Sequence, residues 1–174
     1  MIRKLLVAAI LGVALVTSAL AVPLSPLDSS PKVDGIVVQG DYAYYADLNG
    51  MDFGASLGKD GILSLAIKAP TAGWVAIGLG SGFMDGSWML MAFEKGGRQE
   101  FSEQLGISHF HQRVKETKIL AKAVRFEGGM TTLEFQVKAT EFLKDGRLPI
   151  ILAYGRSADF VSYHQRHATT LLTY

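Results

Sequence analysis

From Val33 to Tyr174 the chain is a series of short stretches rich in Val, Ile, Leu, Phe, Tyr and Thr, separated by glycine-containing turns. The turns are Asn49-Gly50, Lys59-Asp60-Gly61, Gly96-Gly97, Gly128-Gly129 and Asp145-Gly146. Paired residues of this kind accept the positive φ that a tight hairpin requires, so each marks a place where one strand turns back on itself. Within the stretches the apolar period is two. Leu133, Phe135 and Val137 alternate with Thr132, Glu134, Gln136 and Lys138, and Ile62–Ile67 alternates in the same way, which leaves one apolar face per strand for a two-layer packing. Helical periodicity is nearly absent; Thr140-Glu141-Phe142-Leu143-Lys144 suffices for one turn, with Thr140 as its cap. The expected fold is all-β, an antiparallel β-sandwich of two sheets. Its strands are expected at 42–48, 51–57, 62–69, 73–79, 87–94, 98–104, 119–126, 131–138, 149–154 and 168–174.

Ahead of this pattern, residues 1–21 read as a secretory signal: Arg3 and Lys4, an apolar centre from Leu5 to Val16, then Ala19-Leu20-Ala21 as a small-residue cleavage site. The expected location is therefore periplasmic or secreted, with no stable membrane anchor once the signal is cleaved. Residues 22–32, with three prolines and three serines, are expected to be a flexible lead-in to one domain over 33–174. Without Arg3 and Lys4 the chain has fifteen basic and sixteen acidic residues, a balance that calls for neither nucleic acid nor an anionic surface. The chain has no cysteine. That excludes thiolate zinc sites, iron–sulfur clusters and covalent c-type haem, and leaves stability to the apolar core.

The chemistry-bearing residues are then few. In Gly73-Trp74-Val75-Ala76-Ile77-Gly78-Leu79-Gly80-Ser81-Gly82-Phe83-Met84-Asp85-Gly86-Ser87 a strand runs into a glycine-rich turn that presents the thioether of Met84. Methionine sulfur is a soft ligand, and with His164 near the C-terminus it makes a pair able to clamp a haem iron from both sides. The bland reading of a methionine is core filling, which suits Met89 and Met91, on one face of a strand, although that face can also be a pocket wall. His109 and His111, one residue apart, project to one side if they lie in a strand; with His164 or His167 they make a three-histidine zinc or copper site conceivable. Trp74, Phe83, Trp88, Tyr154 and Tyr163 can wall a flat pocket around a porphyrin or a sugar ring. Enzyme signatures are missing: there is no Gly-x-Ser-x-Gly elbow and no phosphate-cradling loop ending in Lys-Ser or Lys-Thr. Asp85 and Asp159 read as turn residues.

The Gly73–Ser87 stretch, together with Val33-Asp34-Gly35 and Ala158-Asp159-Phe160-Val161-Ser162-Tyr163-His164-Gln165-Arg166, resembles the DOMON domain family, which includes the haem-binding cytochrome domain of cellobiose dehydrogenase. The resemblance implies a non-covalent haem b with Met84 and His164 as axial ligands and one-electron transfer with a separate redox partner protein. It implies a carrier, not itself a catalyst. His167 stands where the family usually has a small residue and competes with His164, and His111 and His109 remain further candidates. Because the family takes up haem or sugars depending on branch, a haem-free module binding a carbohydrate or other small ligand is the alternative.

Overall fold

The computed structural model describes residues 21–174; the expected signal, apart from Ala21, lies outside the described residues. The strands are β1 (Val22–Pro23), β2 (Tyr44–Asp47), β3 (Asp52–Leu57), β4 (Ile62–Ala69), β5 (Val75–Leu79), β6 (Trp88–Lys95), β7 (Arg98–Ile107), β8 (Phe110–Arg113), β9 (Ile119–Glu127), β10 (Met130–Lys138), β11 (Arg147–Gly155) and β12 (His164–Thr173). They form two sheets, one ordered β1-β12-β11-β5-β6-β7-β8 and the other β2-β3-β4-β10-β9. Every pairing is antiparallel except the short one between β1 and β12. The expected β-sandwich is thus the observed fold, and each of the ten expected strands is present.

The period-two alternation decides which side chains enter the space between the sheets. Phe53, Leu65, Ile67, Leu133, Phe135 and Val137 from the five-stranded sheet meet Val75, Ile77, Leu79, Leu90, Ile150 and Leu152 from the seven-stranded one. At four tight turns, Asn49-Gly50, Gly96-Gly97, Gly128-Gly129 and Asp145-Gly146, both residues have positive φ, the geometry whose twist matches that of flanking strands.

The structure departs from the expected layout in two places. Residues 22–32 are seated on the domain where a flexible lead-in was expected: β1 pairs with β12, Leu24 is buried, and Leu27 N–H donates to the Leu57 carbonyl at 2.8 Å. The physical reason is that Leu24 reaches the open edge of the core beside Leu57, Leu63, Leu148 and Leu172, while the backbone of Leu27 bridges to Gly58. β8 was not expected as a strand; it forms by hairpin pairing to β7 through the two-residue turn Ser108-His109.

Candidate functional site

The outer face of the seven-stranded sheet, turned away from the second sheet, carries most of the candidates. Trp74, Ala76, Met91 and Phe93 form a separate apolar cluster there, with Ala153, Ala158 and Phe160 packed on it. Met89 lies on the same face, since Trp88 and Leu90 on either side of it point into the core. The same alternation corrects the expected pocket wall. Trp88 packs on Phe135 and Phe142 between the sheets, and Tyr154 is also in that interior, so neither shares a face with Trp74.

Two loops close over this face. The first is the β11–β12 connection, residues 156–163. Phe160 lies on Phe93 with ring centroids 4.8 Å apart, and Trp74 Nε1 donates to Ser162 Oγ at 3.0 Å. Asp159 Oδ1 accepts from the Val161 and Ser162 amides at 2.9 and 2.7 Å, which holds the Asp159 carboxyl below the usual carboxylate range and makes it the turn residue expected. Gly155 lets the indole approach, because a Cβ there would overlap the Trp74 ring.

This loop delivers His164 at the first position of β12, with Gly155 opposite it; Tyr154 is opposite Arg166 and Ala153 opposite His167. The extra residue between these pairings is a β-bulge. Residues three apart in a regular strand face opposite ways, and one inserted residue restores them to the same side. His164 and His167 accordingly meet edge to face, ring centroids 5.0 Å apart. Partial burial, reinforced by repulsion from His167, holds the His164 imidazole below its ordinary value, so at neutral pH it is uncharged and its lone pair is free to coordinate. The tip of the β2–β3 hairpin ties the bulged segment down from the other sheet: Asn49 Nδ2 donates to the His167 carbonyl at 2.9 Å.

The second loop follows β5 and carries Met84, half-buried, in the turn Met84-Asp85-Gly86-Ser87, closed by Ser87 N–H donating to the Met84 carbonyl at 3.0 Å. Gly86 N–H donates to Gly106 O at 3.0 Å, Gly106 N–H to Ser87 O at 2.8 Å, and Ser108 N–H to Asp85 Oδ1 at 2.6 Å. The methionine turn is therefore bonded to the β7–β8 hairpin. On that hairpin His111 is opposite Gly106. Its Nδ1 faces Gln104 Oε1, while Gln104 Nε2 donates to Ser102 Oγ at 2.9 Å, which fixes Nδ1 as the donor and leaves Nε2 as the free nitrogen. His109 lies in the turn, so it and His111 do not project together from one strand as expected. Among the described residues no group of three or more His, Cys, Asp or Glu is placed to hold a metal ion, so the three-histidine site is not formed.

The site residues thus fall into two groups, His164 with His167 and Met84 with His111. The length of β5 and three strands separate them: His164 opens β12 beyond the Val75 end of β5, Met84 rests against Gly106 of β7 beyond the Leu79 end, and β11, β5 and β6 lie between β12 and β7. β5 spans about 13 Å at ~3.3 Å per residue, and the four strand spacings from β12 to β7 add about 19 Å across the sheet, so the expected pair Met84 and His164 is not brought together in this structure. Around the two loops and the hairpin stand the most exposed large apolar side chains of the described residues: Tyr163 (95%), Val161 (87%), Phe83 (80%) and Phe110 (78%). Of these Phe83 and Tyr163 were expected at a pocket; Phe110 and Val161 were not, and neither was the bulge or the Gln104–Ser102 brace on His111. A soft thioether and an uncharged imidazole thus share one sheet face with bare apolar groups but stand at opposite corners of it, each next to another imidazole.

No family model and no curated protein matches this chain. Solved structures do. The chain is similar to the cytochrome domain of Myriococcum thermophilum cellobiose dehydrogenase at 15% identity and a TM-score of 0.58, over 75% of this chain and 80% of that one. It is similar to the cytochrome b domain of pyranose dehydrogenase from Coprinopsis cinerea at 12% identity and a TM-score of 0.55, over 71% and 76%. A family 9 carbohydrate-binding module from Caldicellulosiruptor kristjanssonii, solved with cellotriose, matches at 8% identity and a TM-score of 0.55, over 88% and 92%. The chain has the sandwich fold that these cytochrome b domains and carbohydrate-binding modules share.

Proposed function

We propose that this protein is an exported b-type cytochrome domain that takes one non-covalent haem against the outer face of the seven-stranded sheet and exchanges single electrons with a separate redox partner protein. The observation that carries the reading is the apolar outer face of that sheet, with His164 beside His167 at one corner and Met84 beside His111 at the other, and bare aromatic groups around both. The fold likeness to two cytochrome domains supports it. Met84 and His164 would have to move toward each other on loading to ligate one iron as thioether and imidazole; His167, held 5.0 Å from His164, and His111, beside the Met84 turn, are the competing ligands. Haem bound there supplies one-electron exchange at iron. With side chains as both of its ligands the haem would exchange electrons rather than bind oxygen, and the domain would be a carrier rather than a catalyst. Phe83, Tyr163, Val161 and Phe110 would exclude water, and thioether ligation would keep the potential above that of a two-imidazole site.

The test is an absorption spectrum of the exported protein produced with ample haem. An intense Soret band with a sharp reduced α-band is expected; a colourless protein overturns the reading. The spectra of His164→Ala and His167→Ala then assign the imidazole, since loss of the low-spin spectrum in the first alone selects His164.

A second reading rests on the carbohydrate-binding modules, which cover more of this chain than the cytochrome domains do. In that case the aromatic rim would stack on a sugar ring. Calorimetry of the colourless protein with cellotriose is the measurement, and heat that vanishes in Tyr163→Ala and Phe83→Ala would favour it.

A further inference from the structure

The methionine turn owes its position to one residue of a neighbouring strand, Gly106 of β7. Gly106 exchanges backbone hydrogen bonds with the second half of the turn, donating to Ser87 O at 2.8 Å and accepting from Gly86 N–H at 3.0 Å. A Cβ built on Gly106 would overlap the Met84 carbonyl oxygen, and Met84 Cγ is 3.2 Å from where that Cβ would stand. Asp85, next to Met84, reaches past Gly106 to accept from Ser108 N–H at 2.6 Å. The turn therefore lies flat on bare backbone at position 106, with its side chain next to the space where a larger residue would put its own.

We infer that Gly106 is a positioning residue for the Met84 thioether, with the Asp85 carboxylate as the second point of the clamp, and that these two residues set which group ligates on the methionine side of the site. The inference rests on the haem reading for its consequence but not for its geometry. A loop that presents a ligand without such support samples many positions, and a thioether is too weak a ligand to recover its place by binding alone. Any side chain at 106 must push the Met84 backbone off β7. By contrast Gly82, two residues before Met84, has nothing within 4 Å of an added Cβ, so the loop itself tolerates a methyl group there.

The experiment compares Gly106→Ala, Asp85→Asn and Gly82→Ala with the parent protein, loaded and unloaded. In the loaded protein, Gly106→Ala is expected to keep haem but lose the long-wavelength thioether-to-iron charge-transfer band and shift the potential downward; Asp85→Asn is expected to weaken the band, and Gly82→Ala to leave it intact. In the haem-free protein carrying methyl-labelled methionine, the cross-peak between the Met84 methyl and the residue-106 Hα is expected in the parent and in Gly82→Ala, and to be lost in Gly106→Ala. If Gly106→Ala fails to fold, Asp85→Asn carries the test with the same two readouts. A parent that takes no haem overturns the function proposed above while the methyl cross-peaks still decide the clamp; a Gly106→Ala protein that keeps both the band and the cross-peak overturns the clamp alone.

Discussion

The two outer faces of this sandwich are finished in opposite ways. On the five-stranded sheet a strap of residues 31–42 is drawn across the surface and bonded to a buried carboxylate. Glu134 Oε2 accepts from the Asp34 and Gly35 amides at 3.0 and 2.7 Å, and Oε1 accepts from Tyr42 Oη at 2.7 Å. Gln136 adds Nε2 bonds to Pro31 O and Ser64 Oγ, both at 3.1 Å. Burial, then the bond to Glu134, raises the Tyr42 phenol well above its usual value, so it remains a donor at any physiological pH. That face completes its own bonding. The seven-stranded sheet is covered instead by two loops and a hairpin that bring imidazoles, a thioether and several bare aromatic groups to the surface. Self-satisfied polar groups under a strap stabilise a fold, whereas soft donors beside uncovered apolar area leave something for a ligand to complete.

The largest effect should come from breaking the closed face. Glu134→Ala leaves two backbone amides and a phenol without their acceptor, each costing about 1–3 kcal/mol when buried, so a loss of at least ~3 kcal/mol is expected in urea unfolding. A smaller loss would mean that the strap bonds elsewhere. On the other face, Phe160→Ala removes the ring packed at a tilt on Phe93 and should cost about 1–2 kcal/mol, less than a core phenylalanine because Phe160 is only half-buried. It should also speed hydrogen exchange at the Ser162 amide; unchanged exchange would show that Asp159 alone holds the loop.

Acid should distinguish the faces further. His164 is shifted below the ordinary imidazole value of about 6.5, so the unfolded chain takes up this proton before the folded one does. Its stabilising effect is fully present above pH ~6.5 and is lost as pH falls from there through the lower folded value. Hydrogen exchange near β12 should quicken over that interval and His164→Ala should flatten the dependence; identical pH profiles for the two proteins would count against it. The smallest effect is expected at the rim. Phe83→Ser and Tyr163→Ser should change stability by only about 0.5 kcal/mol either way, because exposed side chains hold little of the fold together, yet both should weaken uptake of whatever the site binds.

Much of the fold was legible along the chain because strand alternation and turn chemistry are local. Leu133, Phe135 and Val137 announce a buried face from their spacing alone, and Asn49-Gly50 announces a hairpin from its tolerance of positive φ. The same locality made Met84 visible as a thioether on a turn. What depends on a partner strand was not visible. The buried role of Glu134 comes from the strap folded over it, although its neighbours in β10 mark it as a surface position. The seating of residues 22–32 needs the edge of β12. Gln104 could be read as the brace of His111 only once β7 and β8 were paired. The same holds for the site: a single inserted residue opposite β11 brings His164 and His167 to one face, and a missing Cβ in β7 supports the turn that holds Met84. Each of these is a relation between residues far apart in the chain, decided when the strands took their register, because which side chains meet across a sheet is a property of the pairing and not of either strand alone.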